Sequence, residues 1–235
     1  MKWNSVVLSN YSWSGEIINR LGKEEVAKQM ALRVKNGDIV GVGSGSTAYL
    51  ALHFISERVK KENLSILAIP TSAEMSLTCA ALDIPTTSLL QSKPDWSFDG
   101  ADEVDPSSNL IKGRGGAMFR EKLLMSCCEE NYILVDRTKI VERLCQNFPI
   151  PIEVFPESIH FVANQIKDLG AERINLRLAK NKDGPVITEN GNYIIDARFS
   201  NVNENLENEI KHLPGVIESG LFLNYKVKII VARNQ

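Results

Sequence analysis

Residues 38–47 read Asp-Ile-Val-Gly-Val-Gly-Ser-Gly-Ser-Thr, the clearest signal of fold class in the chain. The stretch Asp38–Val42, apolar after its first residue, predicts a short buried strand, and the apolar spacing from Ser46 to Val59 predicts a helix. Glycines at such a junction let backbone N–H groups approach an anion, and a helix N-terminus favours negative charge. The junction therefore predicts an α/β fold with a phosphate cradle, in which the hydroxyls of Ser46 and Thr47 are further donors. A plain glycine-rich turn is the alternative, because the stretch matches neither a Walker loop nor a dinucleotide-binding loop.

The alternation of strand and helix patterns continues on both sides of this junction. Strand patterns occur at 66–70, 86–90, 96–98 and 132–135, and helical patterns at 16–35, 73–82 and 117–128. Strands that alternate with helices form parallel sheets with crossover helices. We therefore predict an α/β fold with a doubly wound, mostly parallel, Rossmann-like sheet, to which Lys226–Ala232 returns as a last strand.

The character of the sequence changes near Pro149. Three prolines between positions 149 and 156 are typical of a linker or an edge strand. A helix, two strands and a helix are predicted next, at 158–169, 173–178, 193–199 and about 203–212, and this order indicates a smaller α+β, ferredoxin-like domain. The predicted organisation is an N-terminal extension at 1–15, an α/β catalytic domain at 16–148 with 221–235, and a small α+β domain at 149–220.

Composition excludes several classes of protein. The 235 residues have a formal net charge of -2, which leaves no basic excess for a general nucleic-acid binder. The apolar run Val6–Leu8 is too short for a signal-peptide core or a membrane span. Cys79, Cys127, Cys128 and Cys145 show no metal-site or disulfide spacing, so we expect reduced thiols in a cytoplasmic protein. We expect neither a nucleic-acid nor a membrane partner.

Carboxylates cluster at the end of the strand pattern at 96–98, in Asp99-Gly100-Ala101-Asp102-Glu103. Ligand sites in open α/β sheets lie outside the carboxyl ends of the strands. Carboxylates there can bind a metal, bind sugar hydroxyls or move protons. An acidic, solvated turn is the alternative.

A second glycine-rich loop, Lys112-Gly113-Arg114-Gly115-Gly116, leads into the helix pattern that contains Glu121. Lys112 can stabilise a developing oxyanion, and the helix N-terminus would favour the charged form of Glu121. Taken alone, Glu121 is more typical of a helix surface. Because these loops all follow strands of one predicted sheet, we expect them to converge on one crevice. The three histidines lie outside the loops, so carboxylates and lysines would carry any acid–base chemistry.

Together these segments resemble ribose-5-phosphate isomerase of type A. The matching segments are GVGSGSTA (41–48), IPTS (69–72), DGADEVD (99–105), NLIKGRGGAMFREK (109–122), VDRTK (135–139) and LPGVIESGLF (213–222). Their order and spacing agree with that family over about residues 20–232. Each motif is weakly specific alone, whereas DGADEVD followed at this spacing by IKG and REK is highly specific.

The resemblance implies a cytoplasmic homodimer or homotetramer that interconverts ribose 5-phosphate and ribulose 5-phosphate without a metal or cofactor. It implies that Glu121 takes a proton from C2 of the open-chain aldose and returns it at C1, through a cis-enediolate. Lys112 would stabilise the enediolate charge. Asp99 would assist ring opening or shuttle protons between the two oxygens.

The resemblance also implies a set of substrate-binding residues. Asp102 would hold sugar hydroxyls, and the turn Ser44–Thr47 would bind the phosphate, with Lys23 and Lys139 complementing its charge. The full set is Lys23, Ser44, Gly45, Ser46, Thr47, Gly100, Ala101, Asp102, Gly113, Arg114, Gly115 and Lys139. Two residues depart from the family pattern. Ser44 replaces a more usual Thr and keeps the hydroxyl, and Arg114 stands where many members have Gly, so it would be strained if the backbone needs a positive φ.

Two other classes of protein fit parts of the pattern. An amino-sugar phosphate deaminase or a coenzyme A transferase-like enzyme shares the architecture. The deaminases rely on a histidine, however, and a transferase would use its glutamate as a nucleophile. A non-catalytic sugar-phosphate sensor would keep the phosphate cradle and lose the base, whereas Asp99, Lys112 and Glu121 are all retained here.

Overall fold

The computed structural model describes residues 6–233, which form two compact units. The described residues of the parallel-sheet unit lie within Met1–Gly100, Leu123–Arg137 and Lys226–Gln235. The antiparallel-sheet unit consists of Ala101–Lys122 and Thr138–Tyr225. Residues 1–5 of the predicted extension 1–15, and residues 234–235 of the predicted segment 221–235, lie outside the described residues. Within 6–233, no helix is both long enough and apolar enough to cross a membrane.

The described residues form seven α-helices, twelve β-strands and two 3₁₀ helices. The α-helices are α1 (Val6–Ser9), α2 (Arg20–Ala31), α3 (Ser46–Glu62), α4 (Ala73–Ala81), α5 (Met118–Cys127), α6 (Ile159–Asp168) and α7 (Leu206–Lys211). The strands are β1 (Ile39–Val42), β2 (Leu67–Pro70), β3 (Trp96–Asp99), β4 (Glu103–Val104), β5 (Leu110–Ile111), β6 (Asn131–Val135), β7 (Ile150–Val154), β8 (Ala171–Leu176), β9 (Tyr193–Phe199), β10 (Val216–Ser219), β11 (Leu221–Phe222) and β12 (Lys228–Val231). The 3₁₀ helices are Arg137–Lys139 and Pro156–Ser158.

Five parallel strands form the sheet of the parallel-sheet unit, in the order β12-β6-β3-β1-β2. Every residue of β3 and β6 is buried, as expected of a parallel sheet whose faces are covered by helices. The chain direction across the sheet reverses between β1 and β3, so the ligand-binding switch point of such a sheet lies at the carboxyl ends of these two strands. The predicted Rossmann-like sheet is confirmed, including the return of its last strand.

The larger sheet of the antiparallel-sheet unit is built from the succession β7-α6-β8-β9-α7-β10. Its strand order is β10-β7-β9-β8, and every neighbouring pair is antiparallel. Val162 and Ile166 of α6 share a buried core with Ile152 of β7 and Phe199 of β9. This connectivity is that of a ferredoxin-like fold, as predicted.

A second, three-stranded sheet in the same unit has the order β11-β5-β4. Because β5 pairs with β11, residues 101–122 group with the antiparallel-sheet unit. The predicted domain bounds assign these residues to 16–148 instead. The bounds of the compact units therefore differ from the predicted domain bounds, which stay a prediction.

Two predicted elements differ from the structure. Residues 86–90 do not form a strand, because Thr86 makes an isolated bridge and Leu90 is 97% exposed. Strand β7 is not an edge strand, since it lies between β10 and β9. The carbonyl of Pro151 accepts a hydrogen bond from the N–H of Gly220, beyond the end of β10. In a strand, the N–H and C=O groups of one residue point to the same side, so the N–H that Pro151 lacks would also face β10. The last residue pair of β7 and β10 is Ile152 with Ser219, so the missing N–H lies just beyond this pairing.

Candidate active site

The turn between β1 and α3 forms a first candidate cluster, in the parallel-sheet unit. Strand β1 ends at Val42 and α3 begins at Ser46, so the 17-residue helix presents its N-terminus at the carboxyl end of the strand. The N–H groups of a first helical turn have no intrahelical partner and attract anions. This arrangement is suited to a phosphate group, the role expected of Ser44, Gly45, Ser46 and Thr47.

Asp99 lies against this turn because β1 and β3 are neighbours in the sheet. Its Oδ1 accepts hydrogen bonds from the N–H groups of Ser44 (3.2 Å) and Gly100 (2.7 Å). The contact requires glycine at position 43, where a Cβ would lie 2.0 Å from Asp99 Cγ. Asp99 is buried, and the two N–H groups stabilise its negative charge.

A lysine and two hydroxyl groups surround the same turn. Nζ of the buried Lys23, on α2, donates a hydrogen bond of 3.1 Å to Ser46 Oγ. The hydroxyls of Ser44 and Thr71 share a hydrogen bond of 2.9 Å. Thr71 Oγ1 also lies 3.2 Å from the Val42 carbonyl oxygen, to which it donates. The parallel-sheet unit therefore places a positive charge and hydroxyls beside the helix N-terminus.

Lys112 and Glu121 form a second candidate cluster, in the antiparallel-sheet unit. Lys112 follows β5, and Glu121 lies in the first turn of α5. Lys112 Nζ is 3.3 Å from Glu121 Oε2, and the two side chains are only 3% and 5% exposed. Opposite charges attract more strongly away from water, so each group favours the ionised form of the other. A carboxylate base beside a buried cation is the combination that proton abstraction next to a carbonyl group requires.

The loop between these two residues is fixed by its own backbone and by Arg177. Gly113 has a φ of 90°, and a Cβ there would lie 2.8 Å from Met118 Cβ, so glycine is required. The Arg177 guanidinium donates to the carbonyl groups of Gly113 (3.1 Å) and Arg114 (2.7 Å) and pairs with Asp196 (2.8 Å). Arg177 was not predicted from the sequence, because it lies far along the chain from the loop that it holds.

Arg114 is not strained at its unusual position, because its φ is not positive. Its N–H donates to Asp102 Oδ2 at 3.3 Å. Its guanidinium lies 6.0 Å from the ring centroid of Phe148, and Lys139 Nζ lies 4.7 Å from the same centroid. Phe148, which no sequence motif indicated, therefore holds two predicted ligand-binding cations at one aromatic ring.

The predicted site residues fall into both units. Lys23, Ser44, Gly45, Ser46, Thr47, Asp99 and Gly100 belong to the parallel-sheet unit, and Ala101, Asp102, Lys112, Gly113, Arg114, Gly115, Glu121 and Lys139 to the antiparallel-sheet unit. Gly100 and Ala101 are half-buried, and Gly115 is exposed. In the part of the chain that the structure describes, no group of three or more His, Cys, Asp or Glu side chains is arranged to hold a metal ion.

Comparison with known proteins gives one consistent family. The sequence model described as "Ribose 5-phosphate isomerase A (phosphoriboisomerase A)" matches residues 67–235. Ribose-5-phosphate isomerase A of Thermosynechococcus vestitus is 43% identical over 213 residues, which cover 89% of this chain and 90% of the relative. The solved ribose 5-phosphate isomerase A of Methanocaldococcus jannaschii is similar with a TM-score of 0.87 and 41% identity, over 91% of this chain and 95% of that chain. A solved D-ribose-5-phosphate isomerase in complex with phospho-erythronic acid also has a TM-score of 0.87, with 38% identity over 91% of this chain and 94% of that chain.

Proposed function

We infer that this chain, which belongs to the ribose 5-phosphate isomerase A family, interconverts D-ribose 5-phosphate and D-ribulose 5-phosphate with Glu121 as its base. The observation that carries the assignment of the base is the buried Lys112–Glu121 pair, with its separation of 3.3 Å. Aldose–ketose isomerisation moves one proton between neighbouring carbons, so a single carboxylate can serve both. The pair supplies that carboxylate together with a positive charge for the intermediate.

In the proposed mechanism, Glu121 removes the proton from C2 of the open-chain aldose. The electron pair of the broken C2–H bond forms the C1–C2 double bond of a cis-enediolate, and the carbonyl electrons move onto O1. The Lys112 ammonium stabilises this negative charge. Asp99 assists the transfer of a proton from the O2 hydroxyl to O1, and Glu121 returns its proton to C1, which gives the ketose.

We assign the phosphate group to the turn Ser44–Thr47. Support comes from the N-terminus of α3, from the hydroxyls of Ser44 and Ser46, and from the Lys23 ammonium, 3.1 Å from Ser46 Oγ. The family resemblance supports Lys139 as a further phosphate-binding lysine and Asp102 as the residue that holds sugar hydroxyls. The remaining members of the proposed binding set are Gly100, Ala101, Gly113, Arg114 and Gly115.

The test is the conversion of ribose 5-phosphate by wild-type protein and by Glu121→Gln, each with and without a chelator. Glutamine keeps the shape of the side chain and removes the base, so kcat should fall at least ~10²-fold with little change in KM. Glu189→Gln is a matched control, because it removes a carboxylate that pairs with Arg120, the residue before Glu121, at 3.6 Å. A Glu121→Gln enzyme within about tenfold of wild type would contradict the assignment of the base. Loss of wild-type activity with chelator would contradict a metal-free mechanism.

We also propose that the protein is a homodimer or homotetramer in the cytoplasm, with a pentose 5-phosphate as its small-molecule ligand. The family resemblance supports the oligomer. The free cysteines Cys79, Cys127, Cys128 and Cys145 are compatible with a reducing compartment. Light scattering in solution tests the assembly, and a single species with the 26.2 kDa mass of one chain would contradict it.

A further inference from the structure

We propose that Lys122 is a positioning residue for the Lys112–Glu121 pair, an inference that rests on the function proposed for that pair. Lys122 follows Glu121 in α5, and consecutive helical side chains point about 100° apart. While Glu121 faces Lys112, the Lys122 side chain enters a separate buried cluster and is only 7% exposed. Because the two residues are consecutive in one helix, a displacement of Lys122 in that cluster also displaces Glu121.

Three acceptors from three different elements surround the Lys122 ammonium. Nζ donates to Glu207 Oε1 of α7 at 2.6 Å, to Glu218 Oε1 of β10 at 3.0 Å and to the Leu221 carbonyl of β11 at 2.8 Å. An ammonium group has three N–H donors, so these acceptors match its full capacity. Buried charge-assisted hydrogen bonds of this kind fix both direction and distance. The N-terminal part of α5 is thereby tied to α7, β10 and β11.

The segment Gly220–Phe222 also holds Lys112. The N–H of Lys112 donates to the Gly220 carbonyl at 2.8 Å, next to the pairing of β11 with β5. The ammonium groups of Lys112 and Lys122 lie 5.8 Å and 4.6 Å from the ring centroid of Phe222. One short segment is therefore bound to the backbone of Lys112 and to the side chain that follows Glu121. This shared support sets the 3.3 Å separation of the pair.

The charges in this region are balanced. Lys211 Nζ pairs with the other carboxylate oxygen of Glu218 at 3.1 Å, and the hydroxyl of Tyr225 donates to Glu207 at 3.4 Å. These ion pairs join three ammonium ions to three carboxylates, those of Lys112, Lys122 and Lys211 and those of Glu121, Glu207 and Glu218. Without the Lys122 charge, two buried carboxylates would repel each other, and burial would penalise both. That repulsion is relieved by protonation of one carboxylate or by movement of α7, β10 or β11, and movement of β11 displaces the support of Lys112.

The test compares steady-state kinetics of wild type, Lys122→Met and Lys211→Met. Methionine keeps much of the aliphatic stem and removes the ammonium. For Lys122→Met we expect kcat to fall about 10- to 100-fold while KM changes less than about twofold, because a small misplacement of reacting groups costs up to ~10²-fold. Lys211→Met is the matched control, since it removes a cation from the same Glu218 but from a half-exposed site. Its kcat should stay within about threefold of wild type.

The number of intact binding sites distinguishes a positioning role of Lys122 from a purely structural one, because misfolded protein does not bind ligand. Phospho-erythronic acid, the ligand named with a related isomerase structure, is titrated into each variant, and kcat is expressed per binding site. Lys122→Arg keeps the charge and should recover part of the lost kcat. A Lys122→Met enzyme with wild-type kcat per site would overturn the inference, as would equal losses in both methionine variants.

A further variant covers the case in which Lys122→Met does not fold. Glu218→Gln leaves Lys122 in place and weakens one of its three bonds, so kcat per site should fall about tenfold. Wild-type kcat per site in Glu218→Gln would then overturn the inference. An inactive wild-type protein would instead contradict the proposed function itself, so the two failures are distinguishable.

Discussion

Replacing Gly43 with alanine should displace the Asp99 side chain. A Cβ at position 43 would lie 2.0 Å from Asp99 Cγ and 2.2 Å from its Oδ1. Carbon atoms in ordinary contact lie about 3.5 Å apart, so the carboxyl group has to retreat by about 1.5 Å. A movement of that size breaks the hydrogen bonds that Asp99 accepts from the N–H groups of Ser44 and Gly100, now 3.2 Å and 2.7 Å long.

The expected cost of this substitution follows from the same contacts. Overpacking a buried position costs about 1–3 kcal/mol, and losing a hydrogen bond to a charged group costs about 1.5–3 kcal/mol. Because the displaced carboxylate can recover some bonds to water, we expect a net loss of about 3 kcal/mol. That loss lowers the Tm by roughly 6–12 °C in a chain of this size. The kcat should fall about 10²-fold, the typical effect of moving a reacting group by ~1 Å.

Calorimetry and the isomerisation assay measure the two effects, and two other glycines serve as controls for stability. Gly100→Ala adds a Cβ whose nearest neighbours lie 3.9 Å away, so it should change the free energy of unfolding by less than about 0.5 kcal/mol. Gly37 has a φ of 90° with no described atom within 4 Å, so Gly37→Ala gives the cost of positive φ alone, about 1–2 kcal/mol. A Gly43→Ala protein with the Tm and kcat of wild type would refute the reasoning, because Asp99 would then not lie against the turn.

Two further predictions concern titratable groups. Burial acts to raise the pKa of the Glu218 carboxyl, but Lys122, the N–H of Ser219 and Lys211 together outweigh it and hold the pKa below its usual 4.5. A carboxyl group whose pKa is lower in the folded protein than in the unfolded chain stabilises the fold at pH values above the unfolded pKa. This stabilisation is lost as the pH falls through the pKa of the folded protein. In urea titrations, the free energy of unfolding should therefore decline less steeply below pH 4.5 in Glu218→Gln than in wild type, and identical slopes would be evidence against this charge pairing. Burial raises the pKa of the Cys79 thiol to about 12, so at about pH 8 it should react with a disulfide reagent only when the protein unfolds. Reaction of Cys79 in the native protein, detected by mass spectrometry, would contradict its burial.

Local patterns are sufficient to predict most elements of the fold. Apolar runs and helical spacing locate β1, α3 and β6 within a few residues, because each carries its own periodic signal. The segment 86–90 has a strand-like composition, yet a strand also needs a hydrogen-bonded neighbour along its length, which its sequence does not encode. The inner position of β7 likewise depends on β10, whose residues come more than 60 positions later in the chain.

The candidate site is predictable in its residue types and less so in its contacts. Strand ends and glycine-rich loops indicate Asp99, Lys112 and Glu121 without any knowledge of distance. The partners of Lys122, in contrast, lie 85, 96 and 99 residues away, and those of Arg177 in the glycine-rich loop lie 63 and 64 residues away. No local pattern marks such side chains, because tertiary pairing of distant strands creates their surroundings.

Strand β12 pairs with β6, and the register partners Lys228 and Tyr132 are 96 residues apart in the chain. On the ribosome, β6 therefore emerges long before its neighbour. Until residue 231 has been synthesised, its Asn-Tyr-Ile-Leu-Val segment remains an open sheet edge, the kind of edge that recruits other chains. Pairing over such a separation also folds slowly. We therefore expect the nascent polypeptide to expose this strand edge while 138–225 are being translated.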